Sequence, residues 1–211
     1  MSTKNILKDA DRIVFSTFFG EGLVEITLAA FLVMFSVAPL LSARLGDFWS
    51  SAIFGPFWLI VFLILRFIRK NYVIPRMGTV KWGELRIKKL TTGGIVLLAI
   101  NLIFFILGIF AGTTMLPLGL GSLIPVIFGT GIMILFFTGG YFFDYRYLYI
   151  YGVLIAIAFP IGEWLWQMNR ASHHGFPIVF GVLSSLMFLT GVGKFLAFLR
   201  NTSLPSEEFI Q

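Results

Sequence analysis

Residues 22–41 read GLVEITLAAFLVMFSVAPLL, and Glu25 is the one ionisable side chain among them. An α-helix needs about 20 predominantly apolar residues to cross the hydrocarbon of a bilayer, and this stretch meets that length. Five more stretches do so at 51–68, 94–112, 122–141, 147–166 and 176–199. The sequence therefore predicts an all-α integral membrane bundle of six transmembrane helices. Too little chain is left over for a soluble domain, so residues 1–211 are expected to form a single transmembrane domain.

Composition points the same way. Of 211 residues, 58% are hydrophobic and 12% charged, against about 25% charged in soluble domains. The chain has no cysteine, which excludes disulfides, thiol nucleophiles and cysteine-based metal sites. No phosphate-binding Walker loop, H-E-x-x-H, G-x-S-x-G or Gly-rich dinucleotide fingerprint is present. A cleaved leader is not expected: the first 12 residues mix charges, the following apolar run is too long, and no A-x-A pattern ends it.

The positive charges set the expected topology. With the N-terminus inside, 14 of the 16 basic residues face the cytoplasm, and only Arg44 and Arg170 fall outside. Such asymmetry is the positive-inside pattern, so both termini are expected on the cytoplasmic side of the cell membrane. The net charge of +6 is read as topology, and no nucleic-acid partner is expected.

An unbroken first helix over Ile13–Leu41 would have 29 residues and a length of about 43 Å. That overshoots about 30 Å of hydrocarbon, and tilt alone would have to reach roughly 45°. A break is expected at Gly20–Gly22. Before it, Ile6, Leu7, Ala10, Ile13, Val14 and Phe18 share one helical arc. Residues 4–19 are accordingly predicted to be an amphipathic helix on the membrane surface.

The segment 69–92 is expected to be a basic cytoplasmic loop. Within it, Tyr72-Val73-Ile74 and Thr79-Val80-Lys81-Trp82 flank Pro75-Arg76-Met77-Gly78, a turn composition that predicts a short hairpin. Residues 82–90, with Arg86, Lys88 and Lys89 among apolar neighbours, suit a segment lying among anionic headgroups. Outer loops are expected at 42–50, 113–121 and 167–175. Kinks or breaks are expected at Pro56, Pro125 and Pro160.

Glu21 and Glu25, one turn apart, are the main candidate functional residues, because a carboxylate near hydrocarbon needs a partner or a role. At i, i+4 they would lie about 6 Å apart on one helix face. Two readings stay open. One is a proton- or cation-linked site; the other is docking onto Arg66, Arg69, Arg76, Lys81 or Arg86, with Arg76 the favoured partner because Pro75 and Gly78 fix its turn. Weaker candidates are Asp144 and Arg146 in the turn between the fourth and fifth spans. Glu163, His173 and His174 are a further weak set at the outer face. One glutamate and one histidine there are too few for a metal site, and an interfacial belt with Trp164 and Trp166 is the simpler reading.

Gly20-Glu21-Gly22-Leu23-Val24-Glu25 together with Pro75-Arg76-Met77-Gly78-Thr79-Val80-Lys81 resembles an uncharacterised family of small prokaryotic multi-span membrane proteins. That family pairs a D-G-x-x-E-like first span with a P-R-x-G-Y-V-K-like loop; here Glu21 replaces the aspartate and Thr79 the tyrosine. The resemblance implies a shared architecture, with Glu25, Pro75, Arg76, Gly78 and Lys81 in one cytoplasmic-face constellation.

The expected function is that of a non-enzymatic membrane component: lipid- or partner-binding, transport-associated or regulatory. The alternative is a small proton- or cation-linked transporter or channel using Glu21 and Glu25; a lipid-modifying enzyme ranks third. Anionic headgroups on the cytoplasmic face are the expected partners, with a protein partner or a second copy also open. No cofactor is expected.

Overall fold

Gly22 turns the backbone at a φ of 85°, in the left-handed region, and helix begins immediately after it. The computed structural model describes residues 20–77, 84–113 and 124–202. The described chain is helical, with α1 at Leu23–Ala52, α2 at Phe54–Ile68, α3 at Ile74–Met77, α4 at Glu84–Thr113, α5 at Ile124–Phe143, α6 at Tyr147–Gln167 and α7 at Phe176–Asn201. No strand occurs among the described residues. Six helical stretches are long and apolar enough to cross a membrane, and the protein is a multi-pass membrane protein of the all-α class. The expected surface helix at 4–19 lies outside the described residues.

Two expected loops are helix instead. The outer loop at 42–50 is the continuation of α1, whose direction changes at Gly46 (φ 78°, ψ 163°). A single glycine makes that turn, because its missing Cβ opens a backbone region closed to other residues. The basic loop at 69–92 is also largely helical, since α2 runs on through Arg69–Val73 and α3 to Met77, and α4 starts at Glu84. Tyr72-Val73-Ile74 is thus not a hairpin arm. The Ile74 N–H bonds Arg69 O in a π-type register, and this wider turn precedes Pro75, whose ring would crowd the carbonyl four residues back. Residues 78–83, the other half of the expected hairpin, lie outside the described residues. Pro56 and Pro125 sit in the first turns of α2 and α5, where proline displaces no intrahelical bond. Pro160 lies inside α6.

The chain divides into two compact units, residues 1–81 with 180–211 and residues 82–179. In the first, α1 and α7 meet through small residues. A Cβ built on Gly22 would collide with Gly191 O, one on Gly181 would lie 3.1 Å from Ser36 Oγ, and Ser184 Oγ donates to Ala29 O at 2.9 Å. Gly22, Ala29 and Ser36 are seven residues apart in turn, as are Ser184 and Gly191. This is a seam of small side chains that lets antiparallel helices approach closely where lipid gives apolar side chains no reason to hide. Consistent with that solvent, Leu59, Phe62, Leu63 and Phe67 of α2 are exposed, whereas Leu32, Phe180 and Met187 are buried.

In the second unit, α5 and α6 form a helical hairpin. Gly129 packs on the Ala156 carbonyl, Gly152 on Phe136 and Gly140 on the Tyr149 ring. Helix α4 lies along α5, with Gly93 against Phe142 and Phe104 against Gly131.

Candidate functional site

The start of α1 separates the two glutamates. Because Gly22 is left-handed, Glu21 stands in a turn outside the helix while Glu25 lies in its first turn. They do not share a helix face, contrary to the i, i+4 expectation. Glu25 is fully buried, and its Oε1 accepts a hydrogen bond from Lys194 Nζ at 2.5 Å. The helix N-terminus adds favourable potential for its charge. The Gly22–Gly191 contact beside it brings the two backbones close enough for the pair to form.

Lys194, three residues beyond Gly191 on α7, therefore takes the place expected of Arg76. Arg76 directs its guanidinium elsewhere: Nη1 donates to Tyr72 O at 2.9 Å and Nε to Thr202 O at 3.2 Å. It is held by carbonyls at helix ends, which carry partial negative charge. Helix α3 continues the second span, which puts Arg76 one turn past Tyr72 and within reach of Thr202. Lys81 and Gly78 lie outside the described residues.

Glu21 has a different environment. The residue is 3% exposed, and Oε2 has no hydrogen-bond partner among the described residues. Burial pushes its carboxyl up to about 7, with the Arg69 charge acting in the opposite direction. Glu21 lines a cavity of about 570 Å³ together with Leu23, Val24, Phe62, Leu65, Arg66, Arg69 and Lys70. Arg66, Arg69 and Lys70 fall at i, i+3 and i+4, which places them on one face of a helix. The lining of the cavity combines apolar side chains with three cations and a single carboxylate.

Two charged clusters lie in the second unit. Asp144, at φ 49° in the α5–α6 turn, accepts from Arg86 Nη1 at 2.5 Å and Lys89 Nζ at 2.9 Å. Burial would raise its carboxyl, but the Lys89 and Arg86 hydrogen bonds and charges outweigh burial and hold it below the usual value. Arg86, expected near the glutamates, thus serves this turn, and Arg146 is exposed beside it.

At the other end of α6, Glu163 is buried. Its Oε2 lies 2.9 Å from His174 Nδ1, and its Oε1 accepts from Gln167 at 3.2 Å. The His174 ring packs on Trp166 with centroids 4.3 Å apart. Asn169, His173 and His174 all have positive φ, a costly conformation for non-glycine residues. That strain is held in place where Gly175 packs against the Gly162 carbonyl. No group of three metal-ligating side chains occurs among the described residues.

No family model matches this chain, and no curated protein or solved structure matches it either. What the site can do rests on its geometry. The Glu25–Lys194 ion pair joins α1 to α7, whereas the cavity at Glu21 brings apolar and charged side chains into one lining.

Lys194 and Glu21's separate role are the features that reading the sequence missed. Small residues seven apart at 22, 29 and 36, matched by 184 and 191, were the available signal that α1 packs on α7.

Proposed function

We propose that this protein is a non-enzymatic component of the cell membrane that binds a phospholipid headgroup at the cytoplasmic end of its first unit. The observation that carries this reading is the cavity at Glu21. Phe62, Leu65, Leu23 and Val24 offer an apolar wall for an acyl chain, and Arg66, Arg69 and Lys70 form a cationic row where a phosphate would sit. Guanidinium groups suit phosphate because their planar donors match its oxygens. The cytoplasmic assignment follows the 14-to-2 charge asymmetry, and in that orientation the cationic row, at the end of the second span, would meet the cytoplasmic headgroups. Native mass spectrometry of the detergent-solubilised protein tests the reading. Added phospholipid should be retained by the native chain and lost in an R66Q/R69Q/K70Q variant, and equal retention by both would refute it.

A second reading, proton-linked transport, has one observation in its favour. Glu21 faces the cavity with a carboxyl whose protonation changes near neutral pH. It differs from the sequence expectation in using Glu21 without Glu25, which is closed off by Lys194. Proton flux into liposomes that is abolished by Glu21→Gln would favour it over lipid binding.

A further inference from the structure

Resting on the lipid-binding reading, we infer that the Glu21 cavity selects phospholipids carrying a primary ammonium group beside the phosphate. The lipid's ammonium would lie on Glu21 and its phosphate on Arg66, Arg69 and Lys70.

The argument begins with charge balance. A cavity meant for a phosphate alone gains nothing from a carboxylate in its wall, since two like charges in a poorly solvated space repel. Glu21 is nevertheless among the residues that line the cavity, 3% exposed, and its buried Oε2 has no partner among the described residues. A buried polar atom without a hydrogen bond is costly, and a donor bound in the cavity would lie beside the Glu21 carboxylate. Arg69 acts electrostatically on Glu21, so the anionic and cationic parts of the site are near neighbours. An ethanolamine or serine headgroup has this arrangement, with an ammonium two carbons from a phosphodiester oxygen. Its N–H groups donate to a carboxylate, and its phosphate accepts from guanidinium.

Choline lacks N–H donors and glycerol headgroups lack the positive charge, so neither completes Glu21. Leu23, Val24, Phe62 and Leu65 line the same cavity and belong to helices long and apolar enough to cross a membrane. The ligand is therefore expected to be a whole lipid and not a free phosphoamine in solution.

The test is lipid competition on the full-length protein in neutral detergent, read by native mass spectrometry. Four lipids with identical acyl chains are supplied: phosphatidylethanolamine, phosphatidylserine, phosphatidylcholine and phosphatidylglycerol. The two amine lipids should be retained about ten-fold over the other two, as expected for one charge-assisted hydrogen-bonding group. Glu21→Gln should lower retention of the two amine lipids about ten-fold, to the level of the other two, and so erase that preference. The R66Q/R69Q/K70Q variant should weaken all four lipids alike. Soluble phosphoethanolamine should not compete; if it displaces the lipid fully, the ligand is the small phosphoamine. Equal retention of all four lipids, sensitive only to the cationic variant, overturns the ammonium assignment and leaves the lipid-binding reading standing. A preference that survives Glu21→Gln also overturns the assignment. If no lipid is retained and the cationic variant changes nothing, both readings fall.

Discussion

Lys194 Nζ donates to Glu25 Oε1 at 2.5 Å, joining the first turn of α1 to the C-terminal half of α7 across 169 positions of sequence. The carboxylate is fully buried while the lysine side chain is 30% exposed, so the pair is half sealed. Breaking a buried pair strands one charge, and partial access to solvent softens that cost. Glu25→Gln and Lys194→Gln should each destabilise the protein by about 1–3 kcal/mol. The double variant should lose clearly less than the sum, since most of each single cost is the stranded partner. Unfolding of all four proteins in detergent provides the cycle, and strict additivity would rule the pairing out.

The seam between α1 and α7 makes a sharper contrast between two neighbouring glycines. A Cβ at Gly191 would lie 2.9 Å from Gly22 O and 3.0 Å from Glu25 Cβ, whereas one at Gly193 meets nothing within 4 Å. Gly191→Ala should therefore cost about 1–3 kcal/mol by overpacking. Gly193→Ala should be neutral or slightly stabilising, since alanine favours helix over glycine. Thermal unfolding of the two variants side by side checks this, and equal effects would mean the seam is not where the structure has it.

The hydropathy of the chain made the six spans and the helical class readable, because a bilayer tolerates few other structures. Span ends were less legible. Tyr72-Val73-Ile74 looks like strand by composition, yet Val73 is buried and the helix continues through it. Local propensity is a weak guide where the membrane and a packed neighbour favour helix. Glu21 and Glu25 were readable as residues needing compensation, but their partners were not. Lys194 and Arg76 are both basic and on the expected side, and only the Gly22–Gly191 approach decides between them. For Asp144 the missing information was again tertiary. Arg86 and Lys89 lie 58 and 55 positions away, and α4 must already be packed on α5 to present them.

That cluster yields its own expectation. Arg86 is the more buried donor, with 11% of its side chain exposed against 33% for Lys89. Arg86→Gln should destabilise the second unit more than Lys89→Gln does, because surface-facing pairs contribute little. The folded Asp144 carboxyl lies below its ordinary value of 3.8. Its contribution is therefore present above that pH and is lost as pH falls through the lower, folded value. Asp144→Asn should abolish this acid-side loss, which a pH series of melting temperatures would reveal.

Orientation is testable because the chain has no cysteine, so every introduced thiol is unique. Cysteines at Thr79 and Ser206 should be protected from an impermeant thiol reagent in intact cells, while one at Ser172 reacts. This follows from placing all but Arg44 and Arg170 of the basic residues inside. Labelling of the Thr79 position from outside would invert the topology and remove the cytoplasmic headgroups from the proposed site.

Glu21 carries the last expectation, and its sign can be worked through. Burial raises the folded carboxyl from 4.5 to about 7, with Arg69 pulling the other way. Between those two values the folded protein holds a proton that the unfolded chain has released, so stability falls as pH rises. The favourable contribution is complete below about 4.5 and gone once pH passes about 7. Melting temperature in detergent, without added lipid, should therefore decline from pH 5 to 7.5. In Glu21→Gln that decline should be largely removed, since the amide does not titrate, and the variant should be no less stable than the native protein at the upper end. Asp144 does not contribute in this window, because its titration lies below 3.8. Phosphatidylethanolamine should flatten the native slope by giving the ionised carboxylate a donor, and phosphatidylglycerol should not. A pH slope unchanged by Glu21→Gln would place the titrating group elsewhere and leave Glu21 as a structural residue.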